Sequence, residues 1–226
     1  MKPKRKEKFL FKLYRFFVGP FFPKCKYQGL EKIDEPCIII SNHIGASGPA
    51  QFGFYYPYQH KIWANGLFFV NLKTTFENLY YFFRVKKKKS KVASFLIALI
   101  GAPWFHLDIK ISQVIPVYED ARFYITINQS IEEIESGGAV ILFPEESMEG
   151  YQDEMKVLRP GFIYLLEFLK QKGLDTPVIP TFINKKKKII NVGDKIFLKD
   201  LKEKNMSQEE MLNYFADRMN ELEIKE

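Results

Sequence analysis

Residues 37–49 read CIIISNHIGASGP. The run Cys37 to Ser41 is apolar and rich in β-branched side chains, the composition of a short buried strand. The chain leaves it through Asn42 and His43 into the small residues Gly45-Ala46-Ser47-Gly48-Pro49. Residues 139–150, AVILFPEESMEG, follow the same plan. Pro144 holds the residue before it extended, so the strand must stop there and present Glu145 and Glu146 in a turn. Further β-type runs lie at 62–64, 114–117, 177–182 and 188–192. Between several of them the apolar spacing turns helical. Phe123 to Ser136 has apolar residues at 123, 127, 131 and 134, and Gly161 to Lys172 carries Phe162, Leu165, Leu166 and Leu169. A capping-box pattern, Ser207 to Glu210, opens a last helix running toward Leu222. Strands alternating with helices predict a single α/β domain with a mostly parallel central sheet flanked by helices. In such sheets functional residues gather just past the carboxyl ends of strands, where both quoted turns fall.

The 226 residues suffice for one domain with a full core. The chain carries a net charge of +7, with 22 Phe and 12 Tyr. Positive charge suits anionic partners, and aromatic excess beside it favours a membrane interface, where rings sit at headgroup depth. Phe9, Leu10, Leu13, Phe16 and Phe17 fall on one helical face, with Lys8, Lys12 and Arg15 elsewhere. Residues 1–24 are therefore expected to form a basic-aromatic amphipathic segment at a membrane surface, ahead of an α/β domain at 25–226. The alternative is a surface helix packing its Phe stripe on the domain. No cleavable signal peptide is evident. The run Val92 to Leu107, behind Lys86–Lys89 and Lys91, is shorter than the about 20 residues a span needs and is broken by Gly101 and Pro103. It reads as a buried helix or one lying in the headgroup layer. Lys185–Lys188 reads as a solvated hairpin turn. Cys25 and Cys37 lack metal spacing and suggest reduced thiols of a cytoplasmic protein. No RNA-binding signature accompanies the lysine runs, so nucleic acid is not an expected partner.

An imidazole at a strand end beside a small-residue loop is placed to act as a general base, its pKa being near working pH. A lone His is more often structural. Phe143-Pro144-Glu145-Glu146-Ser147, alone, is equally an ordinary acidic turn.

Together the two turns resemble the lysophospholipid and glycerol-phosphate acyltransferase family. That family's Asn-His-x4-Asp signature aligns with SNHIGASG at 41–48, and its Phe-Pro-Glu-Gly-Thr/Ser-Arg signature with FPEESM at 143–148. IPVYED at 115–120, LRPGF at 158–162, PVIPTFI at 177–183 and VGDKI at 192–196 keep the family's order. The resemblance implies fatty acyl transfer from acyl-CoA or acyl-carrier protein to a lysolipid hydroxyl at the membrane. His43 would be the base and Glu145 would position the acceptor or shape the turn. Asn42, Ser47, Glu146 and Ser147 would contact substrate, and Arg159 would face an anionic headgroup. No metal or bound cofactor is implied, the acyl thioester being a co-substrate. The implied location is peripheral, on the cytoplasmic face of the cell membrane.

The chain departs from the pattern in three places. The family's Asp, five residues after the His, is Gly48 here, removing the carboxylate that orients the imidazole, as Asp does in a catalytic triad. Glu145 or Glu146 could replace it only if the fold brings one near; Ser47 and Gln51 supply no charge. The family's two arginines fall at Glu119 and Met148, which weakens phosphate recognition unless Arg122 or Arg159 compensates. A catalytically inactive lipid-binding relative is the second reading. A hydrolase is disfavoured, since no Gly-x-Ser-x-Gly elbow occurs.

Overall fold

The computed structural model describes residues 3, 9–45, 47–111, 114–145 and 154–223. Seven strands form a sheet flanked by helices: β1 (Lys26–Gln28), β2 (Cys37–Ser41), β3 (His60–Asn65), β4 (Val114–Val117), β5 (Ala139–Leu142), β6 (Val178–Asn184) and β7 (Ile189–Val192). Their order is β1-β7-β6-β2-β5-β3-β4. The pairs β1/β7, β2/β5, β2/β6 and β3/β5 are parallel, and β6/β7 is antiparallel. The expected mostly parallel α/β sheet is what forms. The chain divides into two compact units, residues 1–62 with 127–226, and residues 63–126.

In the first unit, β2, β5 and β6 are buried along their whole lengths, as central strands covered on both faces must be. Ile38, Ile39, Ile40, Val140, Ile141, Ile179 and Ile183 form this core, each contributing about 1.5–3 kcal/mol of burial. The helix Gly161–Gln171 buries Phe162, Leu165 and Leu169, and Phe162 meets Phe215 of the helix Gln208–Asn220 edge-on at 5.2 Å. The Ser207–Glu210 capping box is formed in both directions. Lys185–Lys188 is an exposed turn between β6 and β7. Val192 ends β7 opposite Thr181, and beyond it Ile196 bridges, antiparallel, to Val178. Cys25 and Cys37 are buried and form no disulfide.

Helix α1 (Phe9–Val18) settles one alternative. Its Phe stripe does not pack on the domain: Phe9, Leu10, Leu13, Phe16 and Phe17 are all exposed, Phe9 and Phe16 by about three-quarters (77% and 74%). The helix is held instead by Phe11, 2% exposed, and by Tyr14, whose rings lie 6.1 and 5.7 Å from Phe54. Phe54 belongs to α2 (Ser47–Tyr55). It begins at Ser47, within the stretch Gly45 to Pro49 that reads as a flexible loop from sequence.

The second unit contains β4, α3 (Leu72–Tyr81), a π-helical turn at Phe82–Lys86, and α4 (Lys91–Ile111). Gly66 is required where it stands, since a Cβ there would lie 2.5 Å from the Tyr118 ring. Helices α3 and α4 pack side by side, with Phe76 and Phe95 edge-on at 5.6 Å. Among the described residues no helix is long and apolar enough to cross a membrane. Yet α4 is not buried either. Most of its large apolar side chains face outward.

Candidate functional site

Register decides where the two turns meet. Strand β2 lies parallel to β5 with Ile40 opposite Leu142. Three residues beyond each partner stand His43 and Glu145. Neighbouring strands are about 4.8 Å apart, so parallel pairing delivers both turns to one end of the sheet. The two close on each other: the His43 backbone N–H donates to Glu145 Oε2 at 2.9 Å.

The loop carrying His43 is fixed from its other side. Asn42, 1% exposed, donates through Nδ2 to the Ile183 carbonyl at 3.2 Å and accepts the Ile183 N–H on Oδ1 at 2.7 Å. Both amide groups are thereby committed to the β6 backbone. Thr181 reinforces the join, its hydroxyl donating to the Ile40 carbonyl at 2.9 Å.

The His43 ring is half-buried and stands edge-on to Phe143, with centroids 5.5 Å apart. Burial lowers its pKa below the usual 6.5 because a low-dielectric site disfavours the cation. Among the described residues no side chain hydrogen-bonds the imidazole. Glu145 binds the backbone of this residue and not its ring. Burial raises the Glu145 pKa above 4.5, an effect only partly offset by the His43 N–H. Its second oxygen, Oε1, is buried without a partner among the described residues.

Gly48, at the position of the family's Asp, lies inside α2 and is buried. A Cβ there would stand 3.2 Å from Phe143 Cε1, 3.5 Å from Ile44 Cγ1 and 3.6 Å from the Asn42 carbonyl oxygen. A ring therefore fills the direction in which a side chain at 48 would extend. Gln51 does not serve the imidazole: its Oε1 accepts from the Cys25 N–H at 2.9 Å and its Nε2 donates to the Pro23 carbonyl at 2.7 Å.

Of the remaining sequence-predicted residues, Ser47 opens α2 and is half-buried. Arg159 has an exposed side chain, and its backbone N–H donates to the Pro144 carbonyl at 2.7 Å. Leu158 bridges antiparallel to Glu145, so the LRPGF segment lies along the Phe-Pro-Glu turn. Glu146 and Ser147, with Met148, lie outside the described residues. Arg122, the other candidate for a phosphate, holds Asp120 through Nε and Nη2 at 2.6–3.1 Å and lies over the Tyr118 ring. That pairing draws the Asp120 pKa down to about 2.

Among the described residues no three His, Cys, Asp or Glu side chains gather as a metal would require. A shallow hollow of about 450 Å³, lined by Ile163, Tyr164, Glu167 and Met206 among others, includes no residue of either turn.

Two features escaped the sequence: the Asn42 clamp and the Phe143–Gly48 contact. An Asn directly before the His is a weak signal for the first. Nothing in the sequence marks the second, since the neighbour of Gly48 comes from a turn 95 positions on.

No protein-family model matches the chain, and no curated protein matches it significantly by sequence. Among solved structures, the crystal structure of the 1-acyl-sn-glycerophosphate (LPA) acyltransferase PlsC from Thermotoga maritima is similar. The TM-score is 0.51 and the identity 14%, covering 94% of this chain and 78% of that one. The likeness is one of fold.

Proposed function

We propose that this chain transfers a fatty acyl group from an acyl thioester, acyl-CoA or acyl-carrier protein, to a hydroxyl of a lysophospholipid or related glycerolipid at a membrane surface. The observation that carries the reading is the 2.9 Å bond from the His43 N–H to Glu145. It brings together two turns that resemble one family's signatures, on a fold shared with an acyltransferase of that kind.

In this reading neutral His43 takes the proton of the acceptor hydroxyl. The oxygen attacks the thioester carbonyl, and the tetrahedral intermediate collapses with loss of the thiolate. The thiolate then recovers the proton from the imidazolium. The depressed pKa of His43 keeps the base unprotonated at neutral pH. With no carboxylate on the ring among the described residues, its orientation comes from the Phe143 edge and from a loop held by Asn42 and Glu145. Those two are positioning residues. Arg159, Ser47, Glu146 and Ser147 would contact the acceptor, with the guanidinium toward an anionic headgroup. The exposed face of α1 would hold the protein peripherally at the cytoplasmic face of the membrane.

The bare imidazole also favours a second reading, an inactive lipid-binding relative, since loss of the orienting Asp costs about 10⁴ in a catalytic triad. One assay separates the two. Thiol release from acyl-CoA is followed over a panel of lysolipids, for wild type and His43→Ala. Acceptor-dependent release lost in the variant supports catalysis; equal rates in the two reject it.

A further inference from the structure

Helix α4 is built inside out for a water-soluble helix. The side chains it buries are small: Ser94, Ala98 and Ala102 are at most 1% exposed, and a Cβ on Gly101 would lie 3.7 Å from Leu79 of α3. Its large apolar side chains point the other way. Val92, Leu96, Leu99, Ile100, Trp104 and Leu107 recur at helical spacing along one face, and Val92, Ile100 and Trp104 are 70%, 65% and 62% exposed. The face covers 15 residues of rise, roughly 22 Å, and no charged residue lies between Val92 and Leu107. Single exposed apolar residues are ordinary, but a continuous face is not.

Beside the start of this face stands positive charge. Lys86–Lys89 and Lys91 are all exposed on the connection from α3. The Arg84 guanidinium donates to the Lys89 carbonyl at 3.2 Å, which helps fix that connection. Phe82 and Val85, in the same connection, are also exposed.

We propose that the segment 82–107 is a lipid-binding surface in its own right. The outer face of α4 lies in the headgroup layer of an anionic bilayer, with Lys86–Lys89 and Lys91 on lipid phosphates. The partner follows from the chemistry. An uncharged face rich in Leu, Ile and Trp fits the headgroup–acyl boundary, where Trp is favoured. The adjoining lysines need an anionic surface, which a second copy of the same lysine-bearing segment does not provide. With Gly101 and Pro103 inside it and no crossing length of apolar chain, the helix lies in the interface without spanning it. This contact is separate from α1 and does not rest on the acyl-transfer reading.

The chain has two tryptophans, so Trp63→Phe leaves Trp104 as the sole reporter in the full-length protein. It is titrated with vesicles of phosphatidylcholine alone, or with added phosphatidylglycerol, each with and without bromine on the acyl chains. The expected result is a blue shift and bromine quenching of Trp104 with the anionic vesicles. Ile100→Glu is expected to lower binding at least tenfold, and Glu at Lys86–Lys89 to abolish the preference for anionic lipid. Circular dichroism confirms that each variant is folded. Unquenched Trp104 on anionic vesicles overturns the proposal, whether or not the protein sediments with them. So does a vesicle-free dimer that Ile100→Glu dissociates, which assigns the face to a second copy. His43→Ala is expected to behave as wild type in every arm, so failure here and failure of acyl transfer are distinguishable.

Discussion

Phe143 Cε1 lies 3.2 Å from the point where a Cβ on Gly48 would stand, while the same ring meets His43 edge-on. One aromatic side chain thus occupies two places, supporting the imidazole and filling the space beside residue 48. Replacing the glycine and accommodating the ring are coupled. Restoring an aspartate is not a local change.

Gly48→Asp is therefore expected to destabilise the fold by about 1–3 kcal/mol through overpacking, without raising the rate of thiol release. Urea denaturation reads the first effect. An unchanged midpoint would show that the ring does not hold that space.

Activity should persist into mild acid. The His43 pKa lies below 6.5, and in the proposed reaction the neutral ring is the base, so the acid limb of kcat/KM is expected to have its midpoint below pH 6.5. A limb at or above 6.5 contradicts a buried base. The same shift bears on stability. The folded state binds fewer protons here than the unfolded state, so the contribution is present above pH 6.5 and is lost as pH falls through the folded pKa.

Glu145 has the opposite sign. Its folded pKa lies above 4.5, so the folded state holds more protons, and its contribution to stability declines as pH rises from about the unfolded value through the folded one. Glu145→Gln keeps an oxygen for the His43 N–H and removes the charge. The variant should lack this decline and match or exceed wild type at pH 7. Glu145→Ala, leaving that N–H without its partner, should cost about 1–3 kcal/mol. Chemical denaturation across pH 4–8 compares the three, and a Gln variant less stable than the Ala variant would contradict the assignment.

Asn42→Ala would strand both the N–H and the C=O of Ile183 in the interior. The expected loss is about 2–4 kcal/mol, from two buried groups left unpaired. Near wild-type stability would mean that the clamp is not formed in solution.

Three phenylalanines of one helix should separate folding from lipid binding. Phe11→Ala is expected to cost about 3–5 kcal/mol, as for a buried aromatic. Phe16→Glu with Phe17→Glu should leave the denaturation midpoint nearly unchanged and weaken sedimentation with anionic vesicles. The reverse pattern would exchange their roles.

Much of the sheet was legible, for a definite reason. Strands β2 and β4 coincide with the expected runs 37–41 and 114–117; β2, buried throughout between two parallel neighbours, is a continuous apolar stretch bounded by breakers. Strand β1 was not, since Lys-Tyr-Gln is short and polar and borrows its conformation from β7. Helix α2 was hidden by poor helix formers at its start; the full burial of Phe52 overrides their propensity. In α1 periodicity located an apolar face, and in α4 composition located an apolar run, but neither tells which way the side chains turn, because a face for lipid and a face for a core have the same spacing. The meeting of the two turns needed the strand order, and only paired strands reveal it.

The two bonds between Asn42 and Ile183 replace a rung of backbone pairing just past the end of β2. The residue before His43 is in effect one more step of the sheet, so the imidazole has little freedom to follow an incoming molecule. Accommodation falls to the visitor. In the proposed transfer a range of acceptors would then be sorted by how far each hydroxyl stands from its anchoring headgroup, as a fixed gauge sorts parts by length.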